Sequence, residues 1–319
     1  MAKPRRMAGV APSVASRVCA PAALANPARP GPDTYPGNRR RCRIGREPLL
    51  EKVVGFALFG AFTDSTDNGS TKEHTDMADK SKIEWTDSTW NPVTGCTKTT
   101  RGCDYCYAER FAERFRDVPG HPFESGFDLK LRPERLDQPL SWRKPRRIFV
   151  NSMSDLFHKA VPFSFIDSVF DTMEAAHWHE FQVLTKRSSL MVRYLRRRYG
   201  AALAPPHIWL GVSIEDAVNM VRLVHLRSAQ ASTKFISFEP LLGPVGEFDP
   251  QGIAWVIVGG ESGPHARRIS EDWVIDIRDR CLDAHVAFFF KQWGGLRPKS
   301  AGRLLQDREW NEYPQLTGA

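Results

Sequence analysis

The chain has 319 residues, 41% of them hydrophobic and 26% charged, enough for a sizeable core and one large or two ordinary domains. This is the composition of a soluble globular protein and excludes a membrane-embedded one. The formal charge of +8 invites an anionic partner, but residues 1–76 carry 12 Lys and Arg against 7 Asp and Glu while residues 77–319 carry 33 against 30, so most of the surplus lies in the first quarter.

That first quarter is rich in Ala, Pro, Gly and Arg, contains the run "GNRRRCRIGR", and shows no sustained periodicity. Such a composition cannot bury enough apolar surface to fold. Residues 1–76 are therefore expected to be a disordered extension or upstream sequence translated from a misassigned start, with Met77 opening the protein proper; an Arg-rich targeting peptide is the alternative. The run "VVGFALFGAF" is too short to span a bilayer and too far from the N-terminus for an ordinary export signal. A reducing, cytoplasmic compartment follows, where stable disulfides are not expected. Of the six cysteines, Cys19 and Cys42 fall in this extension.

From Met77 onward the pattern becomes regular. The segment "GCTKTTRGCDYCYAERF" sets Cys96, Cys103 and Cys106 close together and runs straight into a helix. Tyr107, Phe111 and Phe115 form a stripe on that helix that reads as core packing, with Glu109, Arg110, Glu113 and Arg114 as its solvated face. Short apolar runs then recur in "RRIFVNSMSD", "EFQVLTKR", "HIWLGVSIED", "KFISFEPL", "AWVIVGGESG" and "VAFFFKQWGG", each the pattern of a strand buried on both faces. Helical patterns separate them. One places Phe165, Val169 and Met173 on a single face; the next starts at a Ser cap and stops at Gly200. "SIEDAVNMVRLVHL" and "SEDWVIDIRDRCLDAH" both open with Ser and acidic residues, as helix N-termini favour. Cys281 lines up with Trp273, Val274 and Ile277 and reads as a small buried hydrophobe.

Strand–helix repetition implies an α/β fold with a parallel sheet and right-handed crossovers. The expected architecture is a partial or TIM-like (β/α) barrel over residues 77–319, because every strand exits into polar residues. These are Asn151, Ser152 and Asp155; Thr185 and Lys186; Ser213 and Glu215; Glu239; Gly259, Gly260 and Glu261; and Lys291 and Gln292. In parallel α/β folds such ends converge, and chemistry is built there. Ser213 and Asp216 also read simply as helix caps.

Three clustered cysteines leave two metal readings open. A structural zinc needs a fourth ligand, for which His121 and Cys281 are available. In a four-iron cluster three thiolates leave one iron open, useful only if a cofactor fills it; S-adenosylmethionine can do so through its amino and carboxylate groups. One-electron cleavage of its carbon–sulfur bond then generates a 5′-deoxyadenosyl radical.

The cysteine segment resembles the cluster loop of the radical S-adenosylmethionine superfamily. "CDYC" matches its closing pair, with Tyr105 as the aromatic; the first gap, C-x6-C, is longer than the usual C-x3-C. "IEWTDSTWNPVTGC", "FVNSMSDLF", "LTKR", "ISFEPLLG" and "VGGESG" together look like an uncharacterised family of phages, prophages and bacteria, over residues 81–313. Its functionally understood relatives resemble enzymes of the spore photoproduct lyase type, which act on DNA. The resemblance implies a [4Fe–4S] cluster on Cys96, Cys103 and Cys106, S-adenosylmethionine and an external electron donor, with no membrane partner expected; it says little about the substrate, for which nucleic-acid modification or repair is an analogy only. The superfamily's Gly-Gly-Glu motif follows the strand after the cluster loop, a place held here by "NSMSD", whereas the literal "GGE" lies several units later. The motif therefore does not transfer residue by residue; Asn151, Ser152 and Asp155 are expected to serve the amino-acid end of the cofactor, Ser213 and Glu215 are candidates for its ribose, and Glu261, on a Gly-rich turn that permits close backbone approach, is a candidate contact to cofactor or substrate. Lys186, Glu239, Lys291 and Trp293 are the substrate-facing candidates, Trp293 as a stacking platform. Two competing functions remain open. One is a zinc-containing nucleic-acid binder using Arg193, Arg196, Arg197 and Arg198 with Lys144, Arg146 and Arg147; the other is a barrel enzyme with only a structural metal.

Overall fold

The computed structural model describes residues 81–297 and 299–315; the expectation for residues 1–76 lies outside the described residues. In chain order the elements are β1 (Ser88–Trp90), β2 (Val93–Thr94), α1 (Tyr107–Glu113), β3 (Lys130–Leu131), α2 (Gln138–Ser141), β4 (Arg147–Val150), α3 (Phe163–Ala175) and β5 (Glu180–Thr185). They continue with α4 (Ser188–Tyr199), β6 (Ala204–Ser213), α5 (Val221–Arg227), β7 (Ala231–Phe238), β8 (Trp255–Gly259), α6 (Glu271–Asp283) and β9 (Ala287–Gln292).

All six expected strand runs form strands. With β1 they build one seven-stranded sheet in the order β1-β4-β5-β6-β7-β8-β9. Every pairing is parallel, and the two end strands do not meet. The sheet is a half-barrel. Its outer face (Ile148, Val150, Phe181, Val183, Leu210, Ile236, Val256 and Phe288 among others) packs under the helices through Val169, Met173, Leu195, Leu226 and Ile277. Its inner face closes on an aromatic plug of Trp85, Phe149, Trp209, Phe235, Trp255 and Phe289.

The plug measures the curvature. Phe149 on β4 and Trp255 on β8 are four strand steps apart, ~19 Å across a flat sheet. Yet the Trp85 ring lies 4.6 Å from one and 6.0 Å from the other. Gly211 makes room for the plug, since a Cβ there would enter the Phe235 ring. Among the described residues no helix is long and apolar enough to cross a membrane.

Several local expectations change. The helix expected from Ser213 is broken: Ser213 ends β6, a 3-10 turn spans Ala217–Asn219, and α5 begins only at Val221. Val218, Val221 and Val224, though spaced at helical intervals, face solvent. Ser188 is the first residue of α4 rather than its cap, and its hydroxyl pairs with His225 Nδ1 at 2.9 Å. Gly200 does end that helix, at φ 61°. Tyr107 is not core. Helix α1 buries Ala108 and Ala112, while Tyr107 is exposed and Phe111 and Phe115 pack with Phe123 and His121 in a satellite cluster. Small residues face the body because the helix lies close against it.

Candidate functional site

At the C-terminal rim of the half-barrel lies a cavity of about 490 Å³ lined by Cys96, Cys103 and Cys106. The strand ends enter the same cavity: Asn151, Ser152 and Asp155 after β4, Lys186 after β5, Ser213 on β6, Glu239 after β7, Glu261 after β8 and Lys291 on β9. Tyr105 also lines it. Two of the expected residues do not. Glu215 lies behind Gly102, and Trp293 packs on Phe290 with rings 4.7 Å apart while its Nε1 donates to Leu304 O at 2.8 Å. The stacking role foreseen for Trp293 is thereby corrected: its ring is spent on packing beside β9.

The cysteine loop is fixed from its first residue. Gly95 stands at φ 79°, where a Cβ would collide with the Asp128 carbonyl, so only glycine fits without strain. Its N–H donates to Met153 O at 3.0 Å and that of Cys96 to Phe127 O at 3.2 Å. Beyond it, three strand-end carboxylates reach the loop, Asp155 and Glu261 through arginines and Glu215 directly.

Asp155 is nearly buried and accepts from Thr185 Oγ1 (2.7 Å), Phe157 N (3.0 Å), Lys186 N (3.1 Å) and Arg187 Nη1 (2.9 Å). Arg187 in turn touches Cys96 Sγ at 3.4 Å and donates to Thr97 O at 2.8 Å. Glu215, fully buried, accepts from Arg222 Nη1 (2.9 Å) and Thr100 Oγ1 (2.8 Å), with Lys186 Nζ at 3.5 Å. A Cβ on Gly102 would strike its side chain, so the loop backbone lies directly on the carboxylate. Glu261 is gripped by Arg267, which donates from N (3.0 Å) and Nε (2.8 Å) to Oε2 and from Nη2 (2.6 Å) to Oε1. Arg267 continues to Arg101 O (2.8 Å) and Asp104 Oδ2 (3.3 Å), and its guanidinium lies over the Tyr105 ring at 5.1 Å.

Lys186 also donates to Ser213 Oγ at 2.7 Å, and Lys291 pairs with Glu239 at 2.5 Å. Ser152 receives the Tyr107 hydroxyl on its carbonyl at 2.5 Å. Asn151 holds φ 61°; its Nδ2, like the Oγ of Ser237 on β7, is buried without a partner although both residues line the cavity. Ser237 was not foreseen, since a lone serine inside an apolar strand carries no signal of its own.

Burial pushes the thiols of Cys96 and Cys106 up, opposed at Cys96 by the Arg187 charge and at Cys106 by backbone contacts to Glu109 and Ala108. At Cys103 burial also raises the pKa, but the Lys186 charge and hydrogen bonds from the Thr100 and Thr99 backbone outweigh it, leaving the thiol below its ordinary value. All three are free cysteines, as is Cys281, which is buried in α6 and pushed up to about 12 by burial.

Among the described residues no three His, Cys, Asp or Glu side chains are gathered as ligands of one metal ion. The residues considered as a fourth zinc ligand are engaged elsewhere: Cys281 in the helix–sheet core, and His121 stacked on Phe115 at 3.9 Å. The basic face is partly engaged: Arg197 and Arg198 pair with Asp167, Asp171 and Glu174, Arg147 pairs with Asp87 and Arg146 lies over Trp142, while Lys144, Arg193 and Arg196 are exposed.

Fold and site together define an α/β half-barrel with a three-cysteine loop anchored over the C-terminal ends of its strands. The chain belongs to the family described as "Protein of unknown function (DUF5131)", whose model matches residues 80–314. No curated protein matches it. Two solved structures resemble it distantly. One is spore photoproduct lyase complexed with dinucleoside spore photoproduct, at 12% identity and TM-score 0.38, covering 65% of this chain and 64% of that one. The other is a cysteine-to-serine mutant of spore photoproduct lyase, at 12% identity and TM-score 0.40, covering 67% and 66%. In both, the aligned part is just under two thirds of the solved protein.

Proposed function

We propose that the chain is a radical S-adenosylmethionine-type iron–sulfur enzyme. One observation carries this reading: three free cysteines of a single anchored loop open onto the same cavity as the polar strand ends. Three thiolates leave one iron of a four-iron cluster open, so a loop that offers three cysteines beside a polar cavity fits a cluster completed by a cofactor. Cys96, Cys103 and Cys106 would hold the [4Fe–4S] cluster, with S-adenosylmethionine in the same cavity; together the two would supply one-electron cleavage of a carbon–sulfur bond.

The chain's own groups prepare this site. The Arg187 and Lys186 charges favour the thiolate forms that bind iron. Asn151 and Ser152 serve the amino-acid end of the cofactor, Ser213 the ribose, and Tyr105 and Tyr107 wall the cavity from water beside the cysteines. Asp155, Glu215 and Glu261 already have their carboxylate oxygens engaged by protein donors, and in this reading they hold the loop rather than the cofactor. Lys186, Glu239 and Lys291 face the substrate, and Lys82 and Lys299 line the cavity as well. Glu84, Asp155, Glu239 and Glu261 line it too, and Lys291 and Lys299 pair with Glu239 and Glu84, so charge selects no substrate class, and nucleic acid is simply the first to test.

The test is anaerobic reconstitution followed by iron and sulfide analysis. Alanine at Cys96, Cys103 or Cys106 abolishes or destabilises the cluster, while Cys281→Ala keeps its iron. Adding S-adenosylmethionine to the reduced protein changes the cluster's electron paramagnetic resonance, and 5′-deoxyadenosine is released, faster with the right oligonucleotide. Zinc without iron, or a spectrum indifferent to the cofactor, overturns the reading.

A further inference from the structure

Both oxygens of Glu261 are occupied by one arginine six residues further along the chain. An arginine needed only to neutralise this carboxylate could end there. Arg267 instead spans to the cysteine loop, bonding the carbonyl of Arg101, the carboxylate of Asp104 and the face of Tyr105. Arg101 lies two residues before Cys103, and Asp104 and Tyr105 lie between Cys103 and Cys106, so every loop residue it touches is an immediate or next neighbour of one of the two thiols. Glu261 is buried and sits two residues past β8, an interior strand paired on both sides, with β7 and β9. Its backbone is fixed in turn: the carbonyl accepts from Gly295 N at 2.9 Å, and Gly260 N donates to Gln292 O at 2.9 Å. Rigid strand end, buried carboxylate, bidentate guanidinium and loop thus form one continuous chain of charge-assisted bonds.

We propose that Arg267 is a positioning residue for Cys103 and Cys106, with Glu261 as its orienting anchor. This rests on the reading that the two thiols are metal ligands, but the contact itself is a property of the metal-free chain. The loop has a second tether at its other end. Arg187 on Asp155 holds Cys96 and Thr97, and this arm involves neither Glu261 nor Arg267. Cutting the Arg267 arm should therefore loosen the Cys103–Cys106 half of the loop and spare Cys96. A ligand needs its donor groups held to a fraction of an ångström, and locking them beforehand is what second-layer contacts of this kind achieve.

The test uses the full-length, metal-free, reduced protein, pulse-alkylated with iodoacetamide and mapped by mass spectrometry at Cys96, Cys103, Cys106 and Cys281. Arg267→Gln should raise the alkylation rates of Cys103 and Cys106 by about tenfold (~1.4 kcal/mol in the loop's opening equilibrium). Cys96 should stay within about twofold, and Cys281, fully buried in α6, should stay protected as the internal control for global unfolding. Glu261→Gln should give the same selective pattern, because the arginine loses its orienting partner. Arg267→Lys separates geometry from charge: it keeps the cation but not the planar fork, so it should restore protection only in part. Unchanged rates at Cys103 and Cys106 overturn the proposal. So does an equal rise at all four mapped thiols in both variants, which would make the pair a general brace of the fold. Full rescue by lysine also overturns it, since charge alone would then suffice. No iron enters this assay, so a wild type that fails to load iron defeats the proposed function while leaving this result standing.

Discussion

Glu215 offers the sharpest thermodynamic test of how the cysteine loop is supported. Its carboxylate is fully buried and accepts from Arg222 Nη1 at 2.9 Å and Thr100 Oγ1 at 2.8 Å, with Lys186 Nζ at 3.5 Å. Arg222 is itself 5% exposed, so Glu215→Ala strands a guanidinium out of water with, among the described residues, the Ser213 carbonyl as its remaining hydrogen-bond partner. Removing one partner of a buried pair costs ~3–5 kcal/mol, mostly the penalty of the charge left behind. With a urea m-value of roughly 2–3 kcal/mol/M, the unfolding midpoint should fall by about 1–2 M, followed by tryptophan fluorescence. Glu215→Leu combined with Arg222→Met removes the stranded charge and should recover ~2 kcal/mol or more of that loss. A loss below ~1 kcal/mol for Glu215→Ala, the range of exposed ion pairs, would refute the claim that this carboxylate is a buried anchor. A double variant no more stable than the single one would refute the account of why it matters.

Two further outcomes follow from the same geometry. Gly95→Ala should cost well over ~1 kcal/mol, because φ 79° is strained for alanine and the new Cβ meets the Asp128 carbonyl; Gly246→Ala, at φ 73° with open space, should cost less, and urea midpoints of the two variants check the order. Hydrogen bonds from Arg116 and from Phe127 N hold the Glu113 carboxylate at about 2, down from 4.5. A depressed folded-state pKa contributes stability above the unfolded value and loses it as pH falls toward 2. Glu113→Gln should thus lie below wild type at neutral pH, with a gap that closes between about pH 4.5 and 2 and shrinks in high salt; a gap independent of pH would refute the assignment.

The parts of this fold that sequence reveals are those whose cause is local. A strand buried on both faces must be apolar at every position, so β4 to β9 announce themselves as runs of Val, Ile, Phe and Leu. β1 does not: Ser88–Trp90 is three residues long, lies at the edge of the sheet and pairs only with β4. The broken helix before α5 fails for the opposite reason, since Val218, Val221 and Val224 repeat at helical spacing yet meet no core. At the rim, strand ends predict where a carboxylate will sit but not what it will hold. Asp155, Glu215 and Glu261 were visible as polar exits; Arg187, Arg222 and Arg267 were not visible as their partners. Nothing in a Gly-rich turn such as "GGESGPHARR" tells which arginine folds back and which points to solvent.

What those partners do together is a consequence of alternation around the sheet. The three carboxylates follow β4, β6 and β8, every second strand of the half-barrel. They meet the loop at Cys96–Thr97, at Thr100–Gly102 and at Arg101–Tyr105 in turn. A loop pinned at one point keeps most of its conformational freedom and would surrender it on binding, at ~1–2 kcal/mol per residue ordered. Pinned at three, with each anchor rooted in a different strand, it has surrendered that freedom on folding instead. The polar rim is thus as much a device for holding the cysteines still as a surface for chemistry, and this is why three of its carboxylates are already engaged before any ligand arrives.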